Sequence, residues 1–272
     1  MQCSYDTRRI RMTTVISIAS GKGGVGKSSL AANFAIRLQE IAGETLLVDA
    51  DLLMANAHIL LGHRPDADLV DYIEGEKTLE EVVQRVPRLM SILPGRSGSS
   101  VSLEKDGDPL EDLVPQIRAM KNGFDYVVVD APAGSGQGVL NTLSNADHVV
   151  IVLLGQATSF VDAYALIKNA FVERRVTQFS VVVNMAINQS KAQGVFDNFQ
   201  STVCGFLPVS LSLVGFVLHR EAIANSSRDC RPIVLAPGEK PLIEQIDVIL
   251  YRILAGARSP LPQIGVSASD RV

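Results

Sequence analysis

Gly21-Lys22-Gly23-Gly24-Val25-Gly26-Lys27-Ser28 fits the spacing G-x-x-x-x-G-K-[S/T]. Residues of these types at this spacing can hold a nucleoside triphosphate. Glycines let successive backbone N–H groups turn toward phosphate oxygens, and a helix starting at the end of the loop adds the positive end of its dipole. Lys27 is expected to reach the β- and γ-phosphates, and the Ser28 hydroxyl to ligate Mg²⁺. The expected nucleotide cradle is Gly21, Lys22, Gly23, Gly24, Val25, Gly26, Lys27, Ser28 and Ser29. The alternative is a glycine-rich turn that binds nothing. The flanks argue against it: an apolar β-type run, Thr14–Ala19, precedes the loop, and a helical pattern, Ser29–Ile41, follows it.

Lys22 is a second lysine inside the loop, which an ordinary phosphate loop does not need. It is either a solvated surface group or a cation that reaches phosphates held by a second subunit. Two carboxylate-bearing segments belong with the loop. The run Leu46-Leu47-Val48 ends in Asp49-Ala50-Asp51, and the run Tyr126-Val127-Val128-Val129 ends in Asp130. In a parallel sheet both ends open toward the ligand edge. Asp130 has the form of the carboxylate that holds Mg²⁺, against the alternative of a helix cap. Asp49 and Asp51 are expected to diverge, with only one in line with the γ-phosphate. The segment after Asp130, Ala131-Pro132-Ala133-Gly134-Ser135-Gly136, suits a γ-phosphate-sensing switch loop pivoting at Gly134. Its alternative is an ordinary strand-to-helix turn.

These groups need elements to position them, and the chain supplies a βαβ alternation. Candidate strands are Thr14–Ala19, Thr45–Ala50, Met90–Leu93, Tyr126–Asp130, His148–Leu154, Phe179–Asn184 and Phe206–Leu211. Several are continuous Val/Ile/Leu runs, which suit strands covered on both faces. Helical patterns fall between and after them at Ser29–Ile41, Leu110–Lys121, Val161–Arg174, Ala192–Val203 and Pro241–Leu254. The expected fold is α/β, a doubly wound, mostly parallel sheet flanked by helices. The expected organisation is a flexible N-terminal arm at 1–12, one ATPase domain at 13–255 and a disordered tail at 256–272. Pro94–Pro109 reads as a long surface loop.

Composition bounds the function classes. The chain has 272 residues, 47% hydrophobic and 20% charged, with a formal net charge of −4. That is globular, and the charge argues against broad non-specific binding of nucleic acid. The three cysteines, Cys3, Cys204 and Cys230, lack metal-ligand spacing and read as free thiols of a reduced cytoplasmic protein. His58, His63, His148 and His219 show no metal spacing either. No apolar run has the length of a membrane span, and Arg8, Arg9 and Arg11 precede no signal-type stretch.

The loop G-K-G-G-V-G-K-S resembles the deviant phosphate loop of the MinD/ParA ATPases. That resemblance implies an ATP-sandwich homodimer in which Lys22 stabilises transition-state charge in trans. D-x-D at Asp49–Asp51 is similar to MinD; it implies that Asp51 orients the attacking water and that Asp49 supports the magnesium shell. Asp49 to Asn56 followed by Ile59-Leu60-Leu61-Gly62 resembles a segment shared by MinD and the FleN/FlhG proteins, whereas Thr158-Ser159-Phe160-Val161-Asp162-Ala163-Tyr164-Ala165-Leu166-Ile167-Lys168 resembles one of FleN/FlhG and favours that branch. Val181-Val182-Val183-Asn184-Met185 resembles a strand end at which the Asn, here Asn184, contacts adenine. The resemblance runs from Thr14 to Leu254. It implies weak intrinsic ATPase activity and control of flagellar number and placement. The implied partners are a flagellar transcriptional activator, the GTPase FlhF or C-ring components.

The chain departs from that family at Leu53, where relatives often carry Gly, and at Leu218 and Arg220, where they carry Pro and Asp near the base. Its N-terminal arm lacks the D-Q-A-x-x-L motif tied to FlhF stimulation. Leu242, Ile246, Ile249, Leu250 and Ile253 recur at helical spacing, but the polar side offers only Arg252 as a cation. This segment therefore reads as a helix packed on the sheet rather than one lying on a membrane. Three other readings stand beside the FleN/FlhG one. They are a MinD/ParA-type positioning ATPase, a nucleotide-sensing scaffold with negligible turnover, and a metabolic phosphotransferase.

Overall fold

Valine-, isoleucine- and leucine-rich runs build the centre of the molecule, because such segments gain most when both faces leave water. In the computed structural model, residues 12–52, 54–98, 110–121, 123–220 and 229–256 are described. The N-terminal arm through residue 11, Leu53, most of the 94–109 segment and the tail from residue 257 lie outside them.

The strands are β1 (Thr14–Ser20), β2 (Thr45–Asp49), β3 (Gln84–Arg85), β4 (Ser91–Leu93), β5 (Tyr126–Ala133), β6 (His148–Leu153), β7 (Gln178–Ala186) and β8 (Ser210–Leu218). They form one eight-stranded sheet in the order β3-β4-β2-β5-β1-β6-β7-β8. Only β3 is antiparallel to its neighbour; β1, β2 and β5 to β8 pair in parallel. The expected doubly wound, mostly parallel sheet is what forms.

Helices cover both faces: α1 (Lys27–Ile41), α2 (Ala57–Leu60), α3 (Leu69–Ile73), α4 (Leu79–Val82), α5 (Leu113–Ala119), α6 (Gln137–Ser144), α7 (Ala157–Arg174), α8 (Gln189–Phe206) and α9 (Lys240–Ala255). One core joins Ile16, Ile18 and Val150 of the sheet to Phe34 of α1 and Ile246 and Ile249 of α9. A second joins Ile151 and Val181 to Leu166 of α7 and Phe199 of α8. A third joins Val48 and Val129 to Leu69 of α3 and Ile117 of α5. The apolar stripe of α9 (Leu242, Ile246, Ile249, Leu250, Ile253) is buried, so this helix spends its amphipathic face on the fold. No helix of the described residues is long and apolar enough to cross a membrane.

Several expectations need correction. The apolar run Phe206–Leu211 is not a strand. Helix α8 continues to Phe206, Leu207 turns extended ahead of Pro208, and the strand runs Ser210–Leu218 instead. A residue preceding proline is driven out of helical geometry, which sets this boundary. Helix α7 begins at Ala157, four residues before the expected Val161. Helix α6 and the short α2, α3 and α4 fall in segments with no predicted element. Pro94 and Gly95 are not surface loop: both are buried, and Pro94 accepts a hydrogen bond from Leu69 N–H at 2.8 Å.

Candidate functional site

The phosphate loop leaves the carboxyl end of β1 and enters α1 at Lys27. Gly26 caps the helix at φ 86°, a left-handed conformation that favours glycine. A Cβ added at Gly23 or Gly24 would meet nothing within 4 Å, so the crown of the loop is open on its outer side. Gly21 is different. A Cβ there would sit 2.1 Å from the backbone carbon of Asp162, so the loop's base packs directly on α7.

Lys27 lies against Asp130, with Nζ 2.5 Å from Oδ1, and both side chains are buried. The second carboxylate oxygen of Asp130, Oδ2, is buried without a hydrogen-bond partner. Burying an unpaired carboxylate oxygen is costly. A magnesium-bound water is a fitting partner, so this orphan atom suits the cation expected here. Ser28 is the second residue of α1, on the same loop-to-helix junction.

Asp49 and Asp130 stand directly opposite each other on adjacent parallel strands, β2 and β5. Asp49 Oδ2 accepts from Ala57 N–H at 2.9 Å, and Oδ1 accepts from Asp51 N–H at 3.3 Å. Burial, and then the Asp130 charge, push the Asp49 carboxyl up to about 7. Asp49 thus fastens the start of the segment that carries Asp51, besides standing beside Asp130. Asp51 is half-buried, and its Oδ1 accepts from Met54 N–H at 3.0 Å. The two carboxylates diverge because β2 ends at Asp49, not through strand alternation, which would keep residues two apart on one face.

The expected switch segment starts later than Asp130, because β5 runs on through Ala133, and the turn that follows is tied to the last residue of β1. Gly134 N–H donates to Ser20 O at 3.0 Å, and Gly134 adopts φ 101°. Lys22 turns away from its own loop: Nζ lies 3.0 Å from Thr158 Oγ1 and 3.4 Å from Gln156 Oε1, at the start of α7. Asn169 of α7 donates to Ser135 O at 3.3 Å. One helix therefore touches both the phosphate loop and the switch segment. The sequence marks Thr158 and Asp162-Ala163 only as family-type residues. Their role as the floor under Gly21 and the rest for Lys22 emerges from the packing.

The AAA domain family matches residues 13–215. The antiactivator FleN of Pseudomonas aeruginosa is 32% identical over 80% of this chain and 78% of its own length. The chain belongs to the FleN/FlhG branch of the MinD/ParA-type ATPases. The flagellum site-determining protein YlxH of Helicobacter pylori is 26% identical over 94% of this chain and 88% of its own. The solved MinC:MinD cell division protein complex of Aquifex aeolicus superposes with a TM-score of 0.74 at 26% identity, covering 92% of this chain and 99% of that one.

Three features set the site in its surroundings. A cavity of about 440 Å³ opens beside the loop, lined by Leu154, Gln156, Asn184, Met185, Lys191 and His219 among others. Asn184, expected at the base, is only 3% exposed, and its amide Nδ2 donates to Val25 O at 2.7 Å. Around Leu218 to Arg220, Leu218 N–H donates to Gln245 Oε1 of α9 at 3.2 Å, so this stretch is anchored by α9.

Proposed function

We propose that this chain is an ATP-dependent dimerising switch that restrains flagellar number or placement by holding a flagellar transcriptional activator in check. The observation that carries the reading is the 32% identity to an antiactivator across 80% of the chain. The site's geometry supports the nucleotide half of it. Mg·ATP would lie along the loop with its γ-phosphate toward Lys27 and Asp130. Ser28 and Asp130 would hold the magnesium shell, with Asp49 behind Asp130. A magnesium ion held there would supply charge neutralisation, and Asp51 would orient the attacking water.

Lys22, resting on Thr158 and Gln156, is turned outward from its own loop. A lysine so placed can serve the nucleotide of a second copy. Dimer closure then requires ATP, and slow hydrolysis reopens the dimer. Binding the partner is the output, and turnover acts as its timer. FlhF or C-ring components are the further partners that the family likeness suggests.

The test is made in the parent bacterium. Deleting the gene raises the number of flagella per cell; the wild-type copy restores it, and a Lys27→Ala copy does not. Unchanged flagellation after deletion contradicts the reading.

A further inference from the structure

Asn184 is buried near the end of β7, which runs on to Ala186. Met185 has φ 53°, a left-handed backbone that a non-glycine residue adopts only under constraint. The β7–β8 register shifts over the same stretch, between Val183 and Ala186. At this irregular stretch β7 meets the phosphate loop. The Asn184 amide lies 2.7 Å from Val25 O, the carbonyl just before Gly26. A carbonyl can only accept, so the facing atom must be the amide nitrogen. The fit is close: a Cβ at Gly26 would stand 2.3 Å from Asn184 Nδ2 and 3.7 Å from Met185 Cε.

We infer that Asn184 is a positioning residue of the phosphate loop: it clamps the Val25 carbonyl and so orients the N–H groups that receive phosphate. The inference rests on the phosphate-binding reading proposed above. It gives Asn184 a role that does not depend on the base. The Val25 carbonyl is next to the left-handed turn at Gly26, where the peptide planes have most freedom to rotate. A hydrogen bond from a buried side chain removes that freedom before the ligand arrives, which lowers the cost of binding. Gly26 is thereby required twice, for its backbone angle and for the space that Asn184 fills.

The test compares ATP with inorganic tripolyphosphate, which has phosphates but no base, both with Mg²⁺ and by calorimetry. Asn184→Ala is expected to weaken both ligands by a similar factor, about tenfold each. Asn184→Asp keeps the shape but puts a carboxylate oxygen against the carbonyl, and is expected to weaken both more. Thermal midpoints without ligand identify the folded variants. A merely structural Asn184 would lower the midpoint and leave the affinity of the folded protein alone. Tripolyphosphate affinity unchanged in both variants, with ATP weakened, would overturn the clamp and leave Asn184 as a base reader. Wild type that binds neither ligand would overturn the phosphate site, and the clamp with it.

Discussion

Lys27 and Asp130 illustrate how much a single pair can carry. Each is the other's buried partner at 2.5 Å, yet Asp130 keeps one oxygen unpaired. Lys27→Ala is therefore expected to abolish ATP binding, checked by calorimetry, and also to strand a buried carboxylate. Asp49 offers a test in pH. Burial and the facing Asp130 charge push its carboxyl up to about 7, from an ordinary 3.8. The folded state thus binds the extra proton between about pH 4 and 7, and this contribution to stability is lost as pH rises through that window. The nucleotide-free protein is expected to unfold at lower denaturant at pH 8 than at pH 5. Asp49→Asn, which keeps an oxygen for Ala57 N–H, should flatten that slope in urea titrations. An unchanged slope would contradict the assignment. These residues were legible in the sequence because a charged group at the end of a Val/Leu run has few other uses. The amide-to-carbonyl bond of Asn184 was not, since it depends on where β7 ends in space.

At the scale of elements, α7 is the common support. It lies under Gly21, offers Thr158 and Gln156 to Lys22, and reaches Ser135 through Asn169. This predicts a contrast within one loop. Gly21→Ala drives a methyl into the α7 backbone and is expected to cost about 1–3 kcal/mol or more in chemical denaturation. Gly23→Ala meets open space and should leave stability within about 0.5 kcal/mol. Equal losses at the two positions would show that the loop does not rest on α7. The helical pattern from Val161 was readable from periodicity; its true start at Ala157 was not. The first turn is Ala157-Thr158-Ser159-Phe160, polar enough to pass for loop, and it is held by a side-chain contact that periodicity does not register, Leu154 N–H to Ser159 Oγ at 3.1 Å. The misplaced strand at Phe206–Leu211 has the opposite cause. Its apolar residues belong partly to the last turn of α8, where Phe206 is 77% exposed, and hydrophobicity alone does not separate them.

For the whole molecule, continuous apolar strands dictated a two-faced sheet, and the loop motif placed the ligand edge. The edge strand β3 and the short helices α2 to α4 were not legible, because two to five residues carry too little periodicity to declare an element. The proposed switch is an assembly: ATP would close two copies, each supplying its Lys22 to the other's nucleotide. Lys22→Ala is expected to bind ATP near normally yet stay monomeric. Asp51→Ala is expected to bind ATP and hold it unhydrolysed. The most direct measurement is the solution molar mass of the Asp51→Ala protein by light scattering, first with ADP and then with Mg·ATP. A mass near that of one 29.2 kDa chain with ADP, doubling with Mg·ATP, is the predicted result. A mass that stays at one chain while calorimetry shows bound ATP would contradict the dimerising switch.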